Sequence, residues 1–300
     1  MFSVTKYYKV WFAFSGILLV AAIAAVAVWG LHLGIDFVGG SRAEFEFVET
    51  PEPGQVRSEL AAAGIADALV QSAGENRLVI KTKNLTETEK STVEAALLEK
   101  FGEYQEISFQ NVGPTIGREL LNRAYWQIVL VVLGIVLYIT YAFRKIGKQM
   151  RGGKVKAWHL GVATVIALTH DLMIPVGVFA ALGHFRGVEV DSLFITALLT
   201  ILGFSVHDTI VVFDRVRENL QKHPYLSIQS VIDYSVASTF ARSINTSSTL
   251  MFVLTALLLF GGQSIFYFVL ALLIGVVFGT YSSIFIASPI LYLWHRRSGI

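Results

Sequence analysis

The residues of this 300-residue sequence that could do chemistry are ionisable side chains within long apolar stretches. They form two His-Asp pairs and one arginine with an asparagine a turn later: His170-Asp171, His207-Asp208, Arg242 and Asn245. A charge in hydrocarbon is costly, so such residues usually pair with one another or take part in ion or proton transfer. Two interpretations are open from the residues alone: a static ion pair, or a carboxylate that gains and loses a proton beside a basic partner.

Metal and covalent chemistry are not expected. The sequence has no cysteine, so thiolate ligands and a thiol nucleophile are excluded. Adjacent residues on a helix point about 100° apart, and neither His-Asp pair has an evident third ligand, so no metal and no cofactor are predicted. With no nucleophile–base arrangement either, the chain is expected not to be an enzyme.

The elements that must position these side chains are membrane helices. The chain is 54% hydrophobic and 15% charged, which excludes a soluble enzyme. A spanning helix needs about 20 predominantly apolar residues. Six stretches qualify: 10–35, 124–143, 157–185, 192–213 and the two halves of 234–294. Ala25-Val26-Ala27 resembles a signal-cleavage site, but the first stretch exceeds the roughly 7–15 residues of a signal core, so an uncleaved anchor is expected.

Charge predicts the topology. Thirteen basic residues of the short loops and tails fall on one side of a six-span arrangement, six of them in the acid-free run 144–156. Basic loops face the cytoplasm, so both termini of this multi-pass membrane protein are predicted there. This topology explains the run better than nucleic-acid binding. The predicted regions are 1–35 (tail and first span), 36–123 (an extracytoplasmic domain) and 124–300 (five spans, with cytoplasmic loops at 144–156 and 214–233).

Residues 36–123 predict a small α+β domain with 15 acidic and 9 basic side chains. Alternation at 43–47 predicts a strand, and Pro53 begins a helix. Two strands follow at 69–70 and 78–80 around a turn at 74–76. A capping box at Thr86 begins a second helix, and 107–109 form the last strand. The order βαββαβ is that of a ferredoxin-like unit, which could be a spacer or a surface for an exported substrate.

Two of the charged residues are predicted to lie at similar depths in the membrane, where they could form a pair. Asp208 lies about 9 Å and Arg242 about 11 Å inside the same membrane face, at 1.5 Å per residue, on helices that run in opposite directions. They could form a static ion pair, or Asp208 could exchange a proton while Arg242 responds to its charge. Asp171 is deeper, where His170 or Thr169 could satisfy it. His207 could equally be a packed core histidine or a relay.

Several sequence motifs resemble the SecF family, the smaller membrane subunit of the bacterial SecD–SecF accessory complex, within the resistance-nodulation-division superfamily. The first two contain Gly34, Asp36, Gly39 and Gly40 after span one, and Gly113, Pro114 and Gly117 before span two. The others are Ala167-Leu-Thr-His-Asp171, the run 203–219, Asn245-Thr-Ser-Ser-Thr249 and Phe260-Gly-Gly262. The resemblance covers essentially the whole chain.

The resemblance implies six spans with one extracytoplasmic domain, and a heterocomplex with SecD that docks on the SecYEG channel. It implies use of the proton motive force to help a translocating preprotein finish crossing after SecA has acted. The family's intramembrane acid and arginine fall on Asp208 and Arg242, and Asp171 falls in its His-Asp motif; relatives often carry Asn where His207 stands. Alternatives are half of a proton-coupled exporter of the superfamily, or a passive scaffold. Membrane lipid is an expected contact, and nucleic acid is not.

Overall fold

This computed structural model describes residues 3–74, 76–144 and 157–297, which divide into two compact units. Met1–His32 and Trp126–Ile300 form a membrane unit, and Leu33–Tyr125 form an α/β domain. The basic run predicted to be a loop lies outside the described residues from 145 to 156, as does Glu75 of the predicted turn. Each unit is built differently, because one is an apolar bundle and the other has a conventional water-excluding core.

The α/β domain is a four-stranded antiparallel sheet with two helices. Its strands are β1 (Gly40–Phe47), β2 (Leu69–Ser72), β3 (Arg77–Thr82) and β4 (Tyr104–Val112). The helices Pro53–Ala62 and Glu87–Phe101 connect them in the order βαββαβ, and the sheet order is β2-β3-β1-β4. The predicted fold class, six membrane helices with a small ferredoxin-like domain, is therefore confirmed.

The core of the domain follows from the alternation in β1. Phe45 and Phe47 are buried on one face of the sheet, with Leu60 and Leu97 of the two helices in the same apolar cluster. Successive side chains of a strand point to opposite faces, so the intervening glutamates lie on the other face. The second helix begins with the predicted capping box, in which Thr86 and Glu89 bond each other's backbone N–H groups.

Glycines let the chain segment just before β1 approach the segment that follows β4 closely. A Cβ atom on Gly39, at φ +81°, would lie 2.8 Å from the Cα atom of Pro114. One on Gly117 would lie 2.9 Å from the carbonyl oxygen of Phe37. The two glycine-containing motifs of the sequence are thus one structural feature, because each leaves space for the backbone of the other.

The six predicted spans are present, and all lie in the membrane unit except the first part of span two, which belongs to the α/β domain. They are span one (Tyr8–Trp29), span two (Pro114–Ala142), span three (Ala157–Arg186), span four (Ser192–Lys222), span five (Ile228–Phe260) and span six (Phe266–Ser282, continued by Ser283–Ala287 and Ser288–Arg297). Spans three, four and six form the centre, since about half of each is buried within the chain. Of the candidate residues, His170 and Asp171 are fully buried among these three helices.

Span four continues beyond the apolar stretch that the sequence indicates. Its helix runs to Lys222, so most of the predicted loop at 214–233 is helical and only residues 223–227 connect spans four and five. Ion pairs Arg217–Asp214, Arg215–Glu218 and Lys222–Glu218, three or four residues apart, support this extension. Apolar length predicts where the membrane ends, and not where the helix ends.

The amino-terminal segment is fastened to the start of span five. Asp233 accepts hydrogen bonds from Ser3 Oγ at 2.5 Å, Thr5 N at 3.0 Å and Thr5 Oγ1 at 2.8 Å. Val4 between them is fully buried in the main apolar cluster of the bundle. A carboxylate that is 8% exposed is thereby satisfied by three donors, as a buried charge requires.

The close approach at Gly39 gives a first prediction. Gly39→Ala places a Cβ against Pro114 as well as an L-residue at positive φ, whereas Gly64→Ala has only the second problem, since at φ +92° no described atom lies within 4 Å of its Cβ. Overpacking costs about 1–3 kcal/mol, so Gly39→Ala is expected to destabilise the domain by that much more than Gly64→Ala. Proteolysis of the full chain across a urea series measures the difference. Equal effects of the two variants would contradict the proposed packing.

Candidate functional site

The carboxyl group of Asp208 on span four is held by one neighbour. Ser243 Oγ of span five donates to Asp208 Oδ1 at 2.5 Å. The other oxygen, Oδ2, is shielded from solvent and has no hydrogen-bond partner among the described residues. A buried carboxylate oxygen normally has a partner, so this half-satisfied state distinguishes Asp208 from an inert core residue.

Arg242 does not occupy the open position on Asp208. Within the described residues no ion pair of up to 4.0 Å joins the two side chains, although the arginine is near enough for its charge to act on the carboxylate. Arg242 is exposed and Ser243 is 2% exposed. Consecutive helical residues point about 100° apart, so span five offers Asp208 a buried hydroxyl while its arginine faces outward. The static ion pair considered from the sequence is not present.

Polar residues continue along the exposed sides of spans four and five. On span five they follow helical spacing, at Arg242, Asn245, Thr246 and Thr249; on span four they include Thr196, Thr200 and His207. We call these residues the polar face. His207 is exposed and is not a packed core histidine, and Asn245 lies on the same side of span five as Arg242. A polar side of this kind is unfavourable against lipid.

Asp171 lies in a second, fully buried site at the centre of the bundle. Its Oδ1 is 3.0 Å from Nδ1 of His170, and its Oδ2 accepts from Ser205 Oγ at 2.5 Å and Ser282 Oγ at 2.7 Å. These donors come from spans three, four and six, so one carboxylate joins the three central helices. Nε2 of His170 is buried and has no partner in the part of the chain that the structure describes.

The backbone around this second site is irregular and closely packed. Span six contains a π-helical segment, Ser283–Ala287, directly after Ser282. A Cβ on Gly279 would lie 3.1 Å from that of Ser205, and a Cβ on Gly275 would overlap Ile201 at 2.2 Å. Small residues therefore let span six touch span four where Asp171 is bonded. Single π-turns within α-helices often occur at functional sites.

Sequence reasoning found the carboxylates but missed their hydroxyl partners. Ser205, Ser243 and Ser282 were not predicted, because a serine in an apolar span is common and often bonds its own helix. A signal was present on span five, where Ser235, Thr239, Ser243 and Ser247 recur every four residues and are all buried. A polar stripe at this spacing predicts a helix–helix contact rather than a lipid-facing side.

The two sites support proton or cation exchange by carboxylates. One oxygen of Asp208 has no hydrogen-bond partner among the described residues, whereas the carboxyl group of Asp171 has three partners. The described residues contain no group of three or more His, Asp or Glu side chains placed to hold a metal ion. The family motif residues Gly34, Asp36, Gly39, Gly40, Gly113, Pro114 and Gly117 all lie in the α/β domain. Of these, Gly39, Gly40 and Gly117 lie close to backbone atoms of the domain, whereas the two sites lie in the membrane unit.

Comparison with protein families matches two descriptions to this chain. Residues 92–297 match "Protein export membrane protein SecD/SecF, C-terminal", and residues 25–50 match "SecD/SecF GG Motif". A protein translocase subunit SecF from Thermobaculum terrenum is 42% identical over 99% of this chain and 95% of its own length. One from Anaerolinea thermophila is 38% identical over 94% of this chain and 91% of its own length.

A solved structure matches the whole chain. Over 99% of its length this chain resembles the crystal structure of SecDF, a translocon-associated membrane protein from Thermus thermophilus, with a TM-score of 0.85 and 28% identity. The chain spans 39% of that SecDF chain. A SecDF structure in a super-membrane-facing form gives a TM-score of 0.70 at the same identity and coverage. The chain is thus more similar to one solved form than to the other.

The bonding of Asp171 gives a second prediction. Asp171→Leu removes the acceptor of the buried Ser205 hydroxyl and the partner of His170 Nδ1, and each buried group left unsatisfied costs about 1–3 kcal/mol, whereas Ser282 Oγ keeps the carbonyl of Gly279 at 3.1 Å. Folded protein in the membrane and the melting temperature in detergent should both fall. Asp171→Asn keeps one acceptor and should lose less. Thr169→Val is the matched control, because its exposed hydroxyl bonds only its own helix. Wild-type stability in Asp171→Leu would contradict the anchoring role.

Proposed function

Because the chain belongs to the SecD/SecF family of protein export membrane proteins, we propose that it acts as the SecF subunit of the Sec translocase together with SecD. In this role it uses the proton motive force to help a preprotein finish crossing the SecYEG channel after the ATP-dependent action of SecA. The observation that carries the proposal is Asp208, whose carboxyl group is held by Ser243 through one oxygen and lacks a partner on the other.

Moving a proton to Asp208 through the membrane potential supplies enough free energy to drive a conformational change. Moving one elementary charge through 100 mV of membrane potential is worth about 2.3 kcal/mol. A ligand shifts an equilibrium between two conformations by its difference in affinity for them, and the proton is the ligand here. No covalent chemistry is needed, so we propose no enzymatic activity.

The polar face supports the pairing with SecD. Arg242 is exposed on the isolated chain, and by its depth from the sequence it lies within the membrane. An arginine and its neighbouring hydroxyls are stable there only against a polar surface or water. Transporters built from two repeats place their ion sites at the contact between the repeats. We therefore place SecD against the polar face, with His207 and Asn245 in supporting roles beside the proton site.

Asp171 is the second candidate for coupling. Its three partners come from three spans, so a change in its protonation would act on the contacts among all three. His170 is bonded directly to it and is the relay in this proposal. We assign Asp208 the exchange with the aqueous phase, because Asp171 is 0% exposed and fully bonded.

The segregation of basic residues supports the membrane orientation. Both termini and the basic run 144–156 are placed in the cytoplasm of a bacterium, and the α/β domain on the opposite side of the inner membrane. In this orientation the domain is on the side where an exported preprotein emerges.

Cysteine labelling tests this orientation. The chain has no cysteine of its own, so Ser72→Cys on the exposed end of β2 and Tyr225→Cys between spans four and five are unique targets. An impermeant thiol reagent added to intact cells is expected to label the first and not the second. Both should be labelled after permeabilisation. Labelling of Tyr225→Cys in intact cells would overturn the orientation.

The central test of the function uses Asp208→Asn, which keeps the shape of the side chain and cannot ionise. This variant is expected to accumulate, to co-purify with SecD and to lose the gradient-dependent part of preprotein translocation in vesicles. ATP-dependent translocation by SecA without a gradient should be nearly unchanged, because it does not use the carboxylate.

Asp214→Asn is the matched control on the same helix. It removes a carboxylate that is 54% exposed and paired with Arg217, and it should keep gradient-dependent translocation. The double variant Asp208→Asn, Arg242→Gln should also fail, because no group remains to accept the proton. Recovery of gradient-dependent translocation in the double variant would show that Asp208 is not the proton site.

A further inference from the structure

Ser243 is the buried hydroxyl of span five that donates to a carboxylate, whereas Ser247 bonds the hydroxyl of Thr280 and the other two bond their own helix. Ser235 donates to the carbonyl of Val231, and Thr239 to that of Ser235, so both are satisfied within their own helix. Ser243 instead donates across to Asp208, and in the described part of the chain this is its one hydrogen bond. A hydroxyl that leaves its own carbonyl for a carboxylate 2.5 Å away is placed by the tertiary structure, since the local bond is available to every helical serine.

From this geometry we infer that Ser243 is a positioning residue for Asp208, which holds the carboxyl group through both protonation states and keeps it from pairing with Arg242. The inference rests on the proposed function of Asp208. It goes beyond that function because it assigns a role to a residue that does not itself take up or release the exchanged proton.

The chemistry of the two neighbours explains the arrangement. A hydroxyl can donate to a carboxylate oxygen and, more weakly, to the carbonyl oxygen of a protonated carboxyl group, so Ser243 can keep its bond when Asp208 takes up a proton. A guanidinium interacts strongly only with the ionised form. Arginine as the direct partner would therefore hold Asp208 in one state, and a neutral hydroxyl leaves Oδ2 available for exchange.

The positions of Ser243 and Arg242 make them alternative partners. They are consecutive residues on span five, one facing into the bundle and the other outward. A rotation of span five relative to span four would exchange one for the other, because their directions differ by about 100°. The bond from Ser243 thus defines the state in which the proton is exchanged. Without this hydroxyl, Asp208 is expected to pair with Arg242 instead.

The test compares substitutions of Ser243 in the complex with SecD, reconstituted in vesicles. Ser243→Ala removes the donor and is expected to reduce gradient-dependent translocation at least severalfold, with normal accumulation and pairing. Ser243→Thr keeps a hydroxyl and should restore it. Ser247→Ala is the matched control, since this serine is one turn away, equally buried and bonded to Thr280. Ser243→Cys, similar in size with a weak donor, replaces the alanine variant if that fails to accumulate.

Infrared difference spectroscopy separates positioning from packing. The carbonyl stretching band of protonated Asp208, identified by its loss in Asp208→Asn, should move to higher wavenumber in Ser243→Ala or Ser243→Cys. It should stay in place in Ser243→Thr and Ser247→Ala. An unmoved band, or wild-type gradient-dependent translocation in the alanine or cysteine variant, would overturn the inference about Ser243.

The outcome for Asp208→Asn distinguishes the two levels of the proposal. If Asp208→Asn loses gradient-dependent translocation while Ser243→Ala keeps it, the proposed function stands and the role of Ser243 is wrong. If Asp208→Asn itself keeps gradient-dependent translocation, the proposed function of Asp208 fails and the inference about Ser243 fails with it.

Discussion

The membrane unit depends on the cost of placing a carboxylate where water cannot reach it. Transferring an unpaired polar group into an apolar environment costs several kcal/mol, so each buried acid needs donors from its neighbours. Asp171 has three donors from three spans, and Asp233 has three from the amino-terminal segment. Because the partners of Asp171 come from three helices, and those of Asp233 from a segment outside its own helix, satisfying these acids also determines how these parts of the chain pack.

The sequence predicts the elements well and their polar contacts poorly. Six apolar stretches, alternation in β1 and the capping box at Thr86 are local signals, and each predicted element is present. The hydrogen-bond partner of Asp208, in contrast, is determined by tertiary packing. Depth alone suggested Arg242, but a helix at the right depth can still turn its arginine outward and its serine inward. Helix rotation is set by packing, for which the sequence offered only the four-residue spacing of hydroxyls on span five.

Helix length was also underestimated for a physical reason. Hydropathy reports the thickness of the apolar layer, whereas a helix continues as long as its backbone bonds and side-chain pairs support it. Span four thus runs past its apolar stretch to Lys222. Likewise, the glycines before β1 and before span two looked like separate motifs, and only the backbone contact between Gly39 and Pro114 shows why both are needed.

We propose that the two intramembrane acids have different roles, Asp171 in holding three helices together and Asp208 in proton exchange. Asp171 is bonded to side chains of spans three, four and six at the centre of the bundle, and these bonds favour one arrangement of the three helices. Asp208 is at the edge, half bonded, beside a side of the chain that needs a partner. A bistable contact is easier to build there, because breaking one hydroxyl bond costs less than dismantling a three-helix site. Movement is therefore expected at the contact with SecD, beside Asp208, and a more rigid arrangement among spans three, four and six around Asp171.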